Sequence, residues 1–354
     1  MQFGLSEEQI LLQDNVQRFL NDQVSLDQVR VYADGGSDQE IWQGLTELGI
    51  SALMVPEQYG GLDMSPLDAA IVAECLGYNT APGPFLGSAI MAPIALSQSN
   101  SDQGANLEAL VTGELRIGIA FDSATGARID AGVQVSGGQM NGKSLFAMDA
   151  DADKYLVADG NFHLYLVDAA NVTGKPLTTV DKTRRTVELE FNNTPCEQIS
   201  DNVNVYLAAL DMGRVMLAAD TLGAAQSMLD QAVAYAKQRE QFNRPIASFQ
   251  AVKHMCAEMA AHLEPCRAMV WFAAHALAEL PDEARLTACH TKAHLAEIGK
   301  FVAKTSTEVH GGMGFTDLVG LHYWFKRCGA NRQLLGAPEL VREEAAKIQG
   351  LVAA

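Results

Sequence analysis

Basic residues are scarce in this sequence. Its 354 residues hold 25 Lys and Arg against 43 Asp and Glu, a formal net charge of −18. A field of that sign repels phosphate backbones and anionic lipid, so neither nucleic-acid binding nor membrane binding is expected. An anionic small ligand would have to be held by a few local donors. Cysteine is sparse as well. Cys75, Cys196, Cys256, Cys266, Cys289 and Cys328 are scattered with no C-x-x-C, which predicts reduced thiols rather than a disulfide framework. No run of about 18 apolar residues occurs, so no membrane-spanning helix is expected. Met1-Gln2-Phe3-Gly4-Leu5 has no basic stretch followed by an apolar one; no secretory signal is expected, and the expected location is the cytoplasm. There is no H-E-x-x-H, no internal repeat and no low-complexity tract. His290, His294 and Glu297 share a helical face but have no second cluster beside them, so they read as ordinary surface or core residues and no metal is expected.

What is present is an ordinary globular balance, 48% apolar and 19% charged, over a length suited to two or three lobes or one large fold. Residues 1–112 read as a helical lobe. Ser6 with Gln9 resembles a capping box, and Leu12, Val16, Phe19 and Leu20 recur behind it at helical spacing. A second helix is expected over 38–48, ended by Gly49. Pro56 to Gly61 is a turn-rich loop. Ser65-Pro66 opens a helix that carries Ala69, Val72, Ala73 and Leu76 and stops at Gly77.

Residues 113–199 read as a small β module. Val187, Leu189 and Phe191 alternate with Glu188 and Glu190. Val133-Gln134-Val135 enters a tight turn at Gly137-Gly138, and 155–158 and 163–167 are two further strands. Residues 200–354 return to good helix formers, with helices expected over 205–239, 249–280, 284–310, 319–335 and after Pro338. Helices, then strands, then helices, with no β-α-β alternation, exclude a Rossmann fold.

Two local patterns carry chemistry. In Arg239-Glu240-Gln241-Phe242-Asn243-Arg244-Pro245-Ile246, followed by Phe249-Gln250, an arginine stands three residues before a phenylalanine at a helix end. That pairs a phosphate fork with a flat apolar surface, which a dinucleotide's pyrophosphate and adenine need. Alone, the pattern reads first as a solvated arginine beside a core ring. In Glu308-Val309-His310-Gly311-Gly312-Met313-Gly314-Phe315 the glycines let a ligand approach the backbone and its N–H groups; alone, they read as a helix C-cap.

Taken together and in order, these segments resemble the acyl-CoA dehydrogenase family over nearly the whole length. The opening Phe3-x-Leu5-x-Glu7-Glu8-Gln9, Trp42 to Gly49, Val55-Pro56-Glu57-x-Tyr59-Gly60-Gly61 and Glu74-x-Leu76-Gly77 are similar to the family's first lobe. Tyr235-Ala236-Lys237-x-Arg239-x-x-Phe242-x-x-Pro245-Ile246-x-x-Phe249-Gln250 resembles its most specific signature. Val309 to Thr316 with Leu321-His322 resembles its second.

The resemblance implies an α+β multidomain fold: an N-terminal helical domain, a middle β-barrel-like domain and a C-terminal four-helix bundle. It implies FAD, an oligomer, and oxidation of an acyl-CoA thioester to the 2-enoyl-CoA. A carboxylate takes the α proton, the β hydride goes to flavin, and electrons leave through an electron-transfer flavoprotein. Arg239 and Phe242 match contacts to the ADP half of FAD, and Ile246, Phe249 and Gln250 continue that surface. Glu308, Gly311 and Gly312 match a segment that meets the same ADP moiety, and Arg239 and Gly311 are expected to come from different chains. Arg214 matches an arginine near the substrate.

The chain also departs from the family's pattern. Leu335 stands at the usual base position, in Gln333-Leu334-Leu335-Gly336, and Gly213 stands at the alternative one. Neither can take a proton, although the Leu335 N–H survives as a carbonyl-polarising donor. Asp211 lies two residues from Gly213 but about 200° round a helix. Phe121 in Ala120-Phe121-Asp122-Ser123-Ala124-Thr125-Gly126, and Met148 in Phe146-Ala147-Met148-Asp149, replace hydroxyls that face the flavin. Glu308 replaces an amide donor with a carboxylate that only accepts.

Three readings follow. The chain is one subunit of a heteromeric acyl-CoA dehydrogenase, a variation the family uses for bulky acyl-CoAs such as those from fatty acid or steroid side-chain degradation. Or it is a self-sufficient homo-oligomer with a relocated carboxylate, for which Glu258, Glu264 and Glu339 are candidates. Or it is a non-catalytic structural paralogue.

Overall fold

The structure is a computed structural model that describes residues 4–125 and 131–352. Phe3 of the opening motif and Gly126 of the flavin-facing loop lie outside the described residues. The first lobe contains α1 (Glu7–Gln23), α2 (Leu26–Ala33), α3 (Gln39–Glu47), α4 (Pro66–Tyr78), α5 (Ala92–Ser97) and α6 (Gly104–Val111). The Ser6 side chain accepts from the Gln9 N–H at 3.2 Å, and the Gln9 side chain accepts from the Ser6 N–H at 3.1 Å, so the capping box forms as expected. Helix α2 is an addition to the sequence reading. It is short and follows α1 after only Val24 and its cap Ser25, so the two blur into one helical stretch on periodicity alone.

The β module holds β1 (Ile117–Ala120), the single turn α7 (Asp122–Thr125), β2 (Gly132–Ser136), β3 (Gln139–Met148), β4 (Lys154–Ala158), β5 (Leu164–Asp168), β6 (Thr173–Leu177), β7 (Thr186–Pro195) and β8 (Glu197–Ser200). The order across the sheet is β6-β7-β3-β1-β4-β5-β8, with β2 also paired to β3. Only the β1–β4 pairing is parallel among the described strands. Ile117, Ile119, Leu156 and Leu164 join the main core, while Tyr155, Val157, Val187 and Leu189 form a separate core within the module. Pairing of β3 with β7 slips between Ser144 and Ala147; such a bulge re-aims the side chains next to it.

The C-terminal part contains α8 (Val203–Gln238), the hairpin β9 (Glu240–Gln241) and β10 (Arg244–Pro245), α9 (Gln250–Glu279), α10 (Pro281–His310), α11 (His322–Gln333) and α12 (Pro338–Ile348). Helix α8 is buried along most of its length and forms the axis of the molecule. A Cβ on Gly77 of α4 would lie 1.9 Å from the Asp220 carbonyl oxygen, and one on Gly223 of α8 would lie 1.9 Å from the Glu74 carbonyl oxygen. Glycine on both helices is what lets α4 cross α8 backbone to backbone. Helix α11 is shorter than the expected 319–335. It starts after Gly320, which has φ +69°, and stops before Leu335, which has φ +55°; neither conformation continues a helix. Among the described residues no helix is long and apolar enough to cross a membrane.

Candidate functional site

Leu335 is fully buried, and its left-handed backbone turns the chain from α11 toward α12. That conformation is costly for a branched side chain and concentrates at functional turns. Its N–H finds no acceptor among the described residues, while its carbonyl oxygen accepts from Arg214 Nε at 2.9 Å. Across from it lies Gly213. A Cβ there would meet Leu335 Cδ1 at 2.6 Å and Met91 Sδ at 2.7 Å. The two positions expected from the resemblance to carry a base therefore face each other, and apolar side chains fill the space between them.

The carboxylates considered as substitutes are elsewhere. Asp211 is held by Arg285 at 3.0 Å and Arg214 at 3.4 Å. Glu258 and Glu264 are exposed on α9. Glu339 is exposed and bonded to Arg332 at 2.9 Å. All three glutamates are exposed, not buried beside Leu335 and Gly213. Arg214 is buried, and Nη2 bonds Glu344 at 2.8 Å while Nε holds the Leu335 carbonyl. It braces the turn from behind.

Sequence reasoning missed Lys292 on α10. It is 2% exposed, and Nζ lies 2.6 Å from the Asn331 carbonyl oxygen and 3.2 Å from that of Gly336. It thus caps the end of α11 and the Leu335 turn from a third helix. Burial, with Arg214 and Arg332 nearby, pulls its ammonium down to about 7. Nothing local marks it, because a lysine in a helix is ordinarily solvated.

An open cleft of about 500 Å³ runs between the sheet and α11, lined by Leu145, Phe146, Leu177, Ala330, Gln333 and Leu334 among others. Leu334 also lines an inner cavity of about 60 Å³, together with Met148, Thr186, Met216 and Leu217. The far wall of that cavity is ionic. Arg327 Nη2 bonds Asp220 at 2.6 Å, and Arg184 Nη2 bonds the same carboxylate at 2.9 Å. Burial opposes ionisation of Asp220, but the two guanidiniums override it and hold the carboxyl at about 2. Phe121 does not open into the cleft. It is buried, with its ring 4.8 Å from that of Tyr206.

At the far end of α8 the expected ADP residues sit together. Phe242 and Asn243 have φ +55° and +60° and form the two-residue turn of the β9–β10 hairpin, the conformation such tight hairpins require. The turn leaves Phe242 86% exposed. Arg239 is exposed and makes no ion pair among the described residues. The Arg244 guanidinium covers the Phe249 ring at 4.0 Å. Ile246 is half-buried and Gln250 is exposed at the start of α9. Tyr235 stacks on His310 with ring centroids 4.6 Å apart. That contact brings the Arg239 turn beside Gly311 and Gly312, where an added Cβ would meet open space. Within one chain the Arg239 turn and Gly311 thus lie at the same end of the bundle. Glu308 is half exposed and pairs with Lys304 at 3.7 Å, which partly offsets its charge.

The acyl-CoA dehydrogenase N-terminal domain family matches residues 6–114, and the C-terminal domain family matches residues 203–349. Acyl-CoA dehydrogenase IpdE2 of Mycolicibacterium smegmatis is 30% identical, over 98% of this chain and all of that one. Caffeyl-CoA reductase-Etf complex subunit CarC of Acetobacterium woodii is 26% identical, over 84% of this chain and 86% of that one. Among solved structures, the ChsE4-ChsE5 complex of Mycobacterium tuberculosis is 25% identical with a TM-score of 0.89, over all of both chains. The chain belongs to the acyl-CoA dehydrogenase family.

Proposed function

We propose that this chain is one subunit of a heteromeric, FAD-containing acyl-CoA dehydrogenase that converts an acyl-CoA thioester to the 2-enoyl-CoA. The observation that carries the subunit role is the apolar contact of Leu335 with the space over Gly213. Removing an α proton beside a thioester needs a base in a dry pocket, and the carboxylate then comes from a second acyl-CoA dehydrogenase chain. The likeness to one chain of the ChsE4-ChsE5 complex supports that arrangement.

The residues present fit FAD. Arg239 supplies an unpaired guanidinium, Phe242 an exposed ring, and Gly311 and Gly312 an open backbone surface for the ADP end. The apolar cleft beside Phe146 suits a flat ring, and the cavity behind it holds the unpartnered hydroxyl of Thr186. When bound, FAD supplies the acceptor for the substrate's β hydride. A rise of about 1.5 Å per residue puts roughly 39 Å of helix between Gly213 and Arg239, more than an extended FAD spans. The Arg239 platform thus serves the flavin of a neighbouring chain, and oligomerisation follows from that. The Leu335 N–H, with its turn braced by Arg214, is positioned to polarise a thioester carbonyl. An electron-transfer flavoprotein is the proposed electron partner, by likeness to the Etf-complex subunit.

The test is to purify the chain alone and co-expressed with an acyl-CoA dehydrogenase encoded beside it. The expected result is a mixed oligomer that reduces an acceptor dye with acyl-CoA, and a lone chain that does not. Robust turnover by the lone chain would sink the heteromeric reading.

A further inference from the structure

Asp38 stands at the cap position of α3, yet its carboxylate makes no bond to the helix. The capping residues Ser6 and Ser65 have ψ of 165° and 157°, whereas Asp38 has ψ of 4°. Asp38 turns instead to Arg116, which donates from Nη1 at 2.9 Å and from Nη2 at 3.0 Å. Arg116 also holds Asp149, the residue after Met148, from Nε at 3.1 Å and Nη2 at 3.0 Å. Gly35 and Gly36 precede Asp38, and Gly35 has φ +107°, a conformation that glycine reaches without strain. Arg185 donates to the Gly36 carbonyl oxygen. Residues 35–38 are thus a strap with a glycine hinge, fastened to the β module by two arginines.

The strap separates two spaces. Asp38, Arg116 and Arg185 line both the inner cavity and a groove of about 660 Å³ on their other side. The inner cavity is also lined by Leu334 and by Met216, one turn along α8 from Gly213. It therefore begins beside the Leu335 turn and ends at the strap. The groove lies between α3 and the β module. Trp42 and Thr46 line it, and Trp42 Nε1 and Thr46 Oγ1 are buried with no hydrogen-bond partner among the described residues. Buried polar groups without partners are costly and call for them. The groove's charged lining is Asp38, Glu114, Asp151 and Asp153 against Arg116 and Arg185. That balance repels an anion and tolerates an uncharged oxygen, which can accept from an indole N–H or a guanidinium.

We propose that the strap is a gate at the far end of the acyl site, and that the substrate's acyl group ends in an uncharged oxygen, a hydroxyl or a ketone, which the groove holds. On opening, Asp38 turns about ψ into the capping conformation. Its carboxylate then accepts from the first N–H groups of α3, where the helix end also favours negative charge. Arg116 keeps Asp149 and turns its freed edge to the incoming oxygen. The inference rests on the acyl-CoA reading above and adds to it the class of acyl group and the route it takes.

The experiment uses the oligomer as isolated, with its partner subunit where it has one. By dye reduction, kcat/KM is measured on acyl-CoAs of equal, medium length that end in methyl, hydroxyl, ketone or carboxylate, and on methyl-ended ones from short to long. Wild type is compared with Asp38→Asn and Trp42→Phe, with Thr46→Val as a further variant in case the Trp42 change prevents folding. The wild type should prefer the hydroxyl or ketone end to methyl by about 3- to 10-fold, the gain expected for one net hydrogen bond, and should use the carboxylate end least. Trp42→Phe, which lacks the N–H, and Thr46→Val, which lacks the hydroxyl, should each lose part of that preference. Asp38→Asn weakens the fastening to Arg116. It should raise the ratio of long to short substrates and speed amide hydrogen exchange at 36–38. Equal rates with methyl, hydroxyl and ketone ends overturn the inference and leave the proposed function standing. A preference for the carboxylate end overturns the uncharged class. An unchanged preference in both groove variants overturns the groove, and an unchanged ratio and exchange in Asp38→Asn overturn the gate. An oligomer that turns over no acyl-CoA overturns the inference and the proposed function together.

Discussion

Arg214 donates from Nε to the carbonyl oxygen of Leu335 at 2.9 Å, and both residues are buried. One hydrogen bond thus ties the middle of α8 to the turn after α11. That bond and the left-handed backbone of Leu335 hold the turn, which sets the leucine side chain over Gly213. In the proposed function this site keeps a frame for carbonyl polarisation and leaves the proton to a group from the partner chain.

Restoring a carboxylate at that turn is the most direct check. Leu335→Glu places an acid in a dry site, where burial raises its pKa toward neutrality. In FAD-loaded oligomer whose partner contributes no turnover, the variant should reduce dye with straight-chain acyl-CoAs about 10²- to 10⁴-fold faster than the wild type. Fast turnover by the wild-type chain itself would show that a base is already present.

Removing Arg214 leaves Glu344 paired with Arg285 alone and the Leu335 carbonyl without its donor. Truncating one partner of a buried charged contact costs about 3–5 kcal/mol. Arg214→Ala should lower the urea midpoint accordingly. Arg214→Lys should recover part of the loss, since lysine keeps the charge but not the fork. A midpoint equal to that of wild type would mean the brace carries no load.

The platform residues should behave in the opposite way. Arg239 and Phe242 are exposed, so Arg239→Ala and Phe242→Ala should leave the melting temperature within about 2 °C. FAD retained through gel filtration should fall, by about 10-fold in affinity for the arginine variant, as loss of a charge-assisted phosphate contact predicts. Equal flavin content in wild type and Arg239→Ala would remove the arginine from the cofactor site.

Asp220 and Lys292 both make stability rise with pH, over separate windows. The Asp220 carboxyl sits at about 2 in the folded chain, below its ordinary value of about 3.9. Its stabilisation is complete above pH 4 and is lost as pH falls toward 2. The Lys292 ammonium sits at about 7, below its ordinary value of about 10.4. The unfolded chain therefore binds the extra proton between those values, and stability rises with pH across that window. Melting curves at pH 6 and pH 9 should show wild type gaining on Lys292→Met as pH increases. A constant difference between the two proteins would show that Lys292 stays charged throughout.

Much of the frame was legible because its causes are local. The Ser6–Gln9 box starts α1, Ser65 with Pro66 starts α4, and the alternation over 187–191 is the half-buried run of β7. The missing carboxylates at 213 and 335 and the Arg239 and Gly311 motifs are likewise properties of the chain itself. What needed the tertiary structure is every relation between distant residues. Leu335 fills the space over Gly213, and Tyr235 stacks on His310. Lys292 is dry, and the Thr186 hydroxyl stands unpaired beside Met148. The physical reason is one of range. Caps, turns and periodicity act within a few residues, so the order of letters determines them. The burial, the partners and the charge state of a side chain depend on what α4, α10, α11 and the sheet bring against it, and only the packing around α8 decides that.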